Sequence, residues 1–297
     1  MKRSQTEPRT TQLLRRLRGR VFRATKLLDR ADTVWRRRRV LDSLATHGQT
    51  ISSDTAGVIR LTLRVPYREA DESSGPCFHA PIEPCPADLR AMAKTAHLPA
   101  LARTTLDRVV AIDTETTGLL DRPEAVPFLV GVGHFERRQF VVEQLFMEDF
   151  ESEPAMLRAL ALCMRPFRAI LTYNGKTFDL PLLRRRFAIH RLPTGIWRRA
   201  HWDVLRTVRK VWRTGQSRAR EQAAGIRSCS LTDIEQDVLG FRRKRTIESN
   251  RIPEVYHDYL GGRRAERLAA VFDHNAQDIF STAAIALALA RFYRLSS

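Results

Sequence analysis

Hydrophobic and polar positions alternate unevenly along the 297 residues, and the clearest order begins at residue 109. VVAIDTET (109–116) is an apolar, β-branched run ending in polar residues, which predicts a buried strand. VPFLVGVGHF (126–135) and QFVVEQLF (139–146) follow, separated by the turn-like ERR, and the three runs predict an antiparallel meander. MLRALALCM (156–164) has helical spacing, with Ser152, Glu153 and Pro154 as start signals. RAILTYN (168–174) reads as another strand, and LPLLRRRF (180–187) opens a helix with Pro181 in its first turn. VLRTVRKVW (204–212) sets Val204, Val208, Val211 and Trp212 on one side, so Trp212 reads as core. SLTDIEQDVLG (230–240) is a helix capped by Ser230 and stopped by Gly240, and a last helix runs from about Asn275. Meander, helix, strand and further helices make an α/β layer arrangement.

The first 108 residues carry weaker patterns. Leu13, Leu14, Leu17, Val21, Leu27 and Leu28 form a partial helical stripe on a basic background, superficially like a transit peptide in its arginine content. VIRLTLRV (58–65) alternates as a strand does, whereas Pro76, Pro81, Pro84 and Pro86 make a poor environment for regular structure. The expected organisation is a basic arm with a linker and accessory element over 1–108, then a folded domain over 109–297. No apolar run is long enough for a membrane-spanning helix, and the N-terminus lacks the apolar stretch of a secretory signal. A reducing compartment, the cytoplasm, is the expected location.

Charge sharpens this division. Lys and Arg number 51 against 33 Asp and Glu, a net +18, and arginine dominates. Residues 1–40 hold 14 basic against 3 acidic residues (+11), residues 41–108 hold 7 against 8 (−1), and residues 109–297 hold 30 against 22 (+8). Arginine forks match phosphate geometry, so this balance favours a polyanionic partner over a purely compositional origin. Cys77, His79 and Cys85 lie close together, but without the spacing of a zinc knuckle or ribbon, and Cys163 reads as core.

The candidate chemistry is carboxylate chemistry. Asp113 and Glu115 are two apart on a strand and leave the same face. Two acids at the end of an apolar strand are unfavourable unless solvated or neutralised, and oxygen-only ligands suit Mg²⁺ or Mn²⁺. In LTYNGKTFDLPLL a strand ends at the Asn174-Gly175 turn, and Asp179 stands just before a helix. There it either caps that helix or points across the sheet toward the first pair. His274 and Asp278 are four apart on one helix face, as a local surface pair or as part of the same site.

AIDTETTGLL, YNGKTFDLP and HNAQDIFS occur in the order and at the wide spacings of the three exonuclease motifs of the DEDD class. Over about residues 109–295, including HWDVL (201–205), the chain resembles the RNase H-like superfamily, and within it the bacterial YprB-like group of predicted exonucleases. The resemblance implies a mixed five-stranded sheet flanked by helices, with two Mg²⁺ or Mn²⁺ ions held by Asp113, Glu115, Asp179 and Asp278. Asp113 would bridge the ions and Asp179 would serve the second. One ion would activate a water and the other would stabilise the departing 3′ oxygen. His274 would orient or deprotonate that water. DEDD enzymes with a catalytic histidine place it five residues before the last aspartate, and those with a tyrosine place it four before. Here a histidine holds the four-before position, so it either does the tyrosine's work or positions Asp278.

For substrate, Thr116, Thr117 and Gly118 could bring backbone amides to a terminal nucleotide, although Gly118 could equally serve only its turn. Asn174 marks the turn before Asp179, and Lys176 could meet a phosphate. Arg206, Arg209, Lys210 and Arg213 lie away from the apolar stripe, as a phosphate track or a solvated face. Trp197 and Trp202, if exposed, could stack on unpaired bases. The expected activity is 3′→5′ cleavage of single-stranded DNA or RNA. A structure-selective endonuclease and a non-catalytic nucleic-acid adaptor are the alternatives.

Overall fold

The computed structural model describes residues 50–53, 57–67, 81, 83–118, 124–213, 228–243 and 247–295. The basic arm, Cys77, His79 and the side chains of Trp212 and Arg213 lie outside what it describes.

Seven strands form one sheet among these residues: β1 (Thr50–Ser53), β2 (Val58–Pro66), β3 (Val109–Thr116), β4 (Pro127–Phe135), β5 (Gln139–Met147), β6 (Ala169–Thr172) and β7 (Ala200–Asp203). Their spatial order is β1-β2-β5-β4-β3-β6-β7. The β3-β4-β5 meander is antiparallel as expected, and β6 and β7 run parallel to β3, which makes the sheet mixed. Two strands beyond the expected five extend it, because β2 pairs with β5 along its whole length and β1 pairs with β2. The accessory strand at 58–65 is thus built into the main sheet.

Seven α-helices among the described residues cover the sheet: α1 (Pro86–Thr95), α2 (Glu153–Cys163), α3 (Asp179–Ile189), α4 (Val204–Val208), α5 (Leu231–Leu239), α6 (Ile252–Leu260) and α7 (Leu268–Leu295). Val110 and Ile112 of β3 face a core built with α2, α3, α6 and the start of α7. Val109 and Ala111 face a second core built with α1, α4, α5 and the rest of α7. A strand buried on both faces explains why 109–112 is continuously apolar.

Three local readings are corrected. A helix forms at Pro86 despite the surrounding prolines, since proline at the first helical position gives up an N–H that would have no partner there. Asp88 reaches back from that helix to accept the Cys85 N–H at 2.9 Å. The final helix begins at Leu268 rather than at about Asn275, because Leu268, Val271 and Phe272 are already buried. The run 204–212 is split into α4 and a π-helical turn, Arg209–Arg213, and β7 precedes it.

Candidate active site

Alternation along β3 divides its polar end between the two faces of the sheet. Asp113 lies on the Val109/Ala111 face, and Thr114 lies on the other. Asp113 is paired across the sheet with Gly131, and Gly131 with Gln144. Asn275 of α7 sits over that row. Its Nδ2 donates to Asp113 Oδ2 at 2.8 Å, and its Oδ1 accepts from Gln144 Nε2 at 2.9 Å. Gly131 leaves the room this needs, for a Cβ there would lie 2.3 Å from both Asn275 Oδ1 and Ile279 Cδ1. Gly131→Ala is expected to destabilise the fold by about 1–3 kcal/mol through overpacking, read as a lower urea midpoint, while Gly118→Ala leaves it unchanged. At Gly118 an added Cβ meets nothing within 4 Å and no positive φ demands glycine, so the turn alone does not require it.

Asp179 approaches from the opposite face. It does not cap its helix from the preceding position; it is the first residue of α3, and its Oδ1 accepts the Thr114 hydroxyl at 2.6 Å. The turn that delivers it is fixed by Asp203 of HWDVL. Asp203 Oδ1 accepts the Asn174 N–H at 2.9 Å, and Oδ2 accepts the Lys176 N–H at 3.1 Å. Asn174 adopts φ 71°, a left-handed conformation that asparagine tolerates well. Gly175 is needed there too, since a Cβ would meet the Thr172 side chain at 2.5 Å.

His201 completes the turn. Thr172 Oγ1 accepts the Gly175 N–H at 3.1 Å and is hydrogen-bonded to His201 Nε2 at 2.9 Å. Burial, against the pull of Asp203, takes the His201 pKa from 6.5 down to about 4. The unfolded chain therefore binds the extra proton first as pH falls. The stability contributed by neutral His201 is fully present above pH 6.5 and is lost as pH falls toward 4. The His201 contribution, read as the stability difference between wild type and His201→Gln at each pH, is expected to fall by about 1–2 kcal/mol between pH 7 and pH 5 in chemical denaturation.

From α7 comes Asp278. Its Oδ1 accepts from Arg243 Nη2 at 2.5 Å, and its Oδ2 lies 3.5 Å from His274 Nε2. His274 is half-buried, and burial holds its pKa below 6.5 against the pull of Asp278 and a backbone hydrogen bond at Ile247. Arg243 is anchored in turn by Glu235 of α5, with Nε to Oε2 at 2.7 Å and Nη2 to Oε1 at 2.5 Å. Ser281 Oγ also donates to Glu235.

Electrostatics join these acids into one site. Burial, then repulsion from Asp278 and Asp179, raises Asp113 well above the usual carboxylate range. Burial and then Asp113 do the same to Glu115, and burial pushes Asp179 up to about 6. The site is short of positive charge, and a donor set made only of carboxylate oxygens suits a hard divalent ion. Yet among the described residues no group of three or more His, Cys, Asp or Glu side chains is arranged to hold a metal ion. Asn275, Thr114 and Arg243 each donate to one of the acids.

Among the expected substrate groups, Lys176, Arg206 and Arg209 are exposed, and Lys176 and Arg206 both act electrostatically on His201, near the turn that carries Asp179. Thr116, Thr117 and Gly118 border Glu115, but the Thr117 N–H is already given to the Val126 carbonyl at 3.0 Å and cannot serve a nucleotide. Thr116 Oγ1 donates to the Gly118 carbonyl at 2.7 Å. Trp197 and Trp202 are 1% and 3% exposed, so neither stacks on a base as placed. Arg243, Glu235, Thr114 and Asn275 escaped the sequence reading. Only Asn275 left a signal, standing three residues before Asp278 on the same helical face.

A family model described as the RNase_H superfamily matches residues 110–290. An uncharacterised protein, YprB of Bacillus subtilis (strain 168), is 28% identical over 171 residues, which cover 57% of this chain and 38% of that protein. The family B DNA polymerase of the hyperthermophilic archaeon Pyrobaculum calidifontis is similar in structure, with a TM-score of 0.47 and 18% identity over 62% of this chain and 24% of that one. The chain thus spans well under half the length of either protein.

Proposed function

This chain belongs to the RNase H superfamily, and from that premise we propose that it is a metal-dependent 3′→5′ exonuclease acting on single-stranded DNA or RNA. Nucleases of this superfamily generally work with divalent metal ions. The observation that carries the reading is the gathering of Asp113, Glu115, Asp179 and Asp278 from β3, α3 and α7, close enough that the charges of Asp278 and Asp179 add to the raised pKa values of Asp113 and Glu115. Bound ions would supply an activated water and neutralise charge on the phosphate and its leaving oxygen.

The chain's own groups set the rest of the reaction. Asp113 and Glu115 hold their side of the site from a rigid central strand, and Asp179 closes it from the turn that Asp203 and His201 fix. His274 faces Asp278 and orients the water. Lys176, Arg206 and Arg209 guide the incoming backbone by charge.

The test uses end-labelled single-stranded DNA and RNA with Mg²⁺ or Mn²⁺, beside a covalently closed circle of the same sequence. Stepwise shortening from the 3′ end with an intact circle is expected. Cutting of the circle assigns an endonuclease instead. Salt-dependent binding with no cleavage of any substrate assigns a non-catalytic adaptor.

A further inference from the structure

The charge that faces Asp278 is already present in the chain. Arg243 is 6% exposed and Glu235 is fully buried, so this guanidinium is held out of solvent by a two-pronged pair. The same Nη2 that bonds Glu235 also bonds Asp278 Oδ1 at 2.5 Å. Glu235 is fixed by α5, whose ends are set by the Ser230 cap and by Gly240 at φ 65°. It also accepts from Ser281, one helical turn beyond Asp278 on α7. Arg243 is therefore held by a rigid frame, unlike a surface arginine that drifts onto an acid. Its charge reaches the other acids too, lowering the pKa values of Asp113 and Glu115 that burial and repulsion raise.

We propose that Arg243, clamped by Glu235, is a resident counter-ion for Asp278 that takes the place of one divalent ion, so that without substrate the site binds a single ion. The inference rests on the metal-site reading above. It makes Arg243 a positioning residue whose role is to set how many ions the resting site holds.

The probe is Mn²⁺ alone, titrated into the full chain and counted by the electron paramagnetic resonance of the free ion. Wild type is expected to bind one ion. Arg243→Gln is expected to bind a second, with at least about tenfold higher affinity than any second ion in wild type. Because Arg243→Gln leaves Glu235 buried and unpaired, Glu235→Gln with Arg243→Gln is measured beside it, so that both charges leave together. Adding Asp278→Asn to that pair should remove the extra ion. Two ions bound with equal affinity by wild type overturn the proposal, whatever the variants do. So does an unchanged count in the folded variants: an equal count of one leaves the metal site and removes Arg243 from it, whereas a count of zero throughout removes both.

Discussion

Asp113→Asn is expected to lower metal-dependent cleavage by about 10³-fold or more while making the metal-free protein more stable. Asp113 is held well above the usual carboxylate range, first by burial and then by repulsion from Asp278 and Asp179. Replacing the acid with a neutral group of the same shape removes both effects, and the amide oxygen still accepts from Asn275 Nδ2. Relief of buried like charge is worth about 1–2 kcal/mol, seen as a higher melting temperature in chelator. Loss of a carboxylate that holds the ion removes several kcal/mol of transition-state stabilisation, or about 10³-fold in rate. The two signs make the test strict. Undiminished cleavage would remove Asp113 from the chemistry, and a lowered melting temperature would show that the acid is structural instead.

Arg291→Ala should be the most damaging change away from that site. Asp88 of α1 is fully buried and is bonded by Arg291 of α7 at 2.8 Å, with Arg294 at 3.4 Å on its more exposed side. Burial alone would raise the Asp88 carboxyl, but the hydrogen bonds and charge of Arg291 outweigh it and bring it below its usual value. Removing Arg291 strands a buried carboxylate, at a loss of about 3–5 kcal/mol at neutral pH. The pH dependence has a definite sign. In wild type this stabilisation is present above the unfolded carboxylate range and fades as pH falls through the lowered folded value. In the variant the burial effect is unopposed by Arg291, so protonation helps, and the deficit against wild type should narrow as pH falls toward 4. Urea unfolding of both proteins at pH 7 and pH 4.5 measures this, and a deficit that stays constant would argue that Arg291 acts through packing alone.

Much of the fold was legible because apolar runs and turn residues act locally. The meander, β6, α3 and the Ser230-to-Gly240 helix follow from neighbours within a few positions. β7 was hidden because Ala200–Asp203 is only four residues long, half of them polar, and its pairing with β6 is a tertiary matter. The prolines concealed α1 because a helix start and a broken loop use the same residue. At the site, the family motifs pointed to Asp113, Glu115, Asp179 and Asp278, and the structure brings these four within electrostatic reach of one another. What could not be read was the neutralising partner of each. Arg243 lies 35 positions from Asp278, and Thr114 lies 65 from Asp179. One arginine among many carries no mark of its partner, and tryptophans whose polar neighbours suggest exposure are buried by contacts far along the chain.

The long β2–β5 ladder bears on how this protein can be cut. The family match begins at residue 110, which makes that an inviting place to trim. A fragment that starts there would lose β2 and leave Gln139–Met147, nine residues of which most are apolar, as a bare sheet margin. Such a margin pairs with whatever extended chain it meets, including its own copies. The segment before the recognised domain is therefore a built-in shield against self-association, and its removal should show first as concentration-dependent clumping rather than as lost secondary structure.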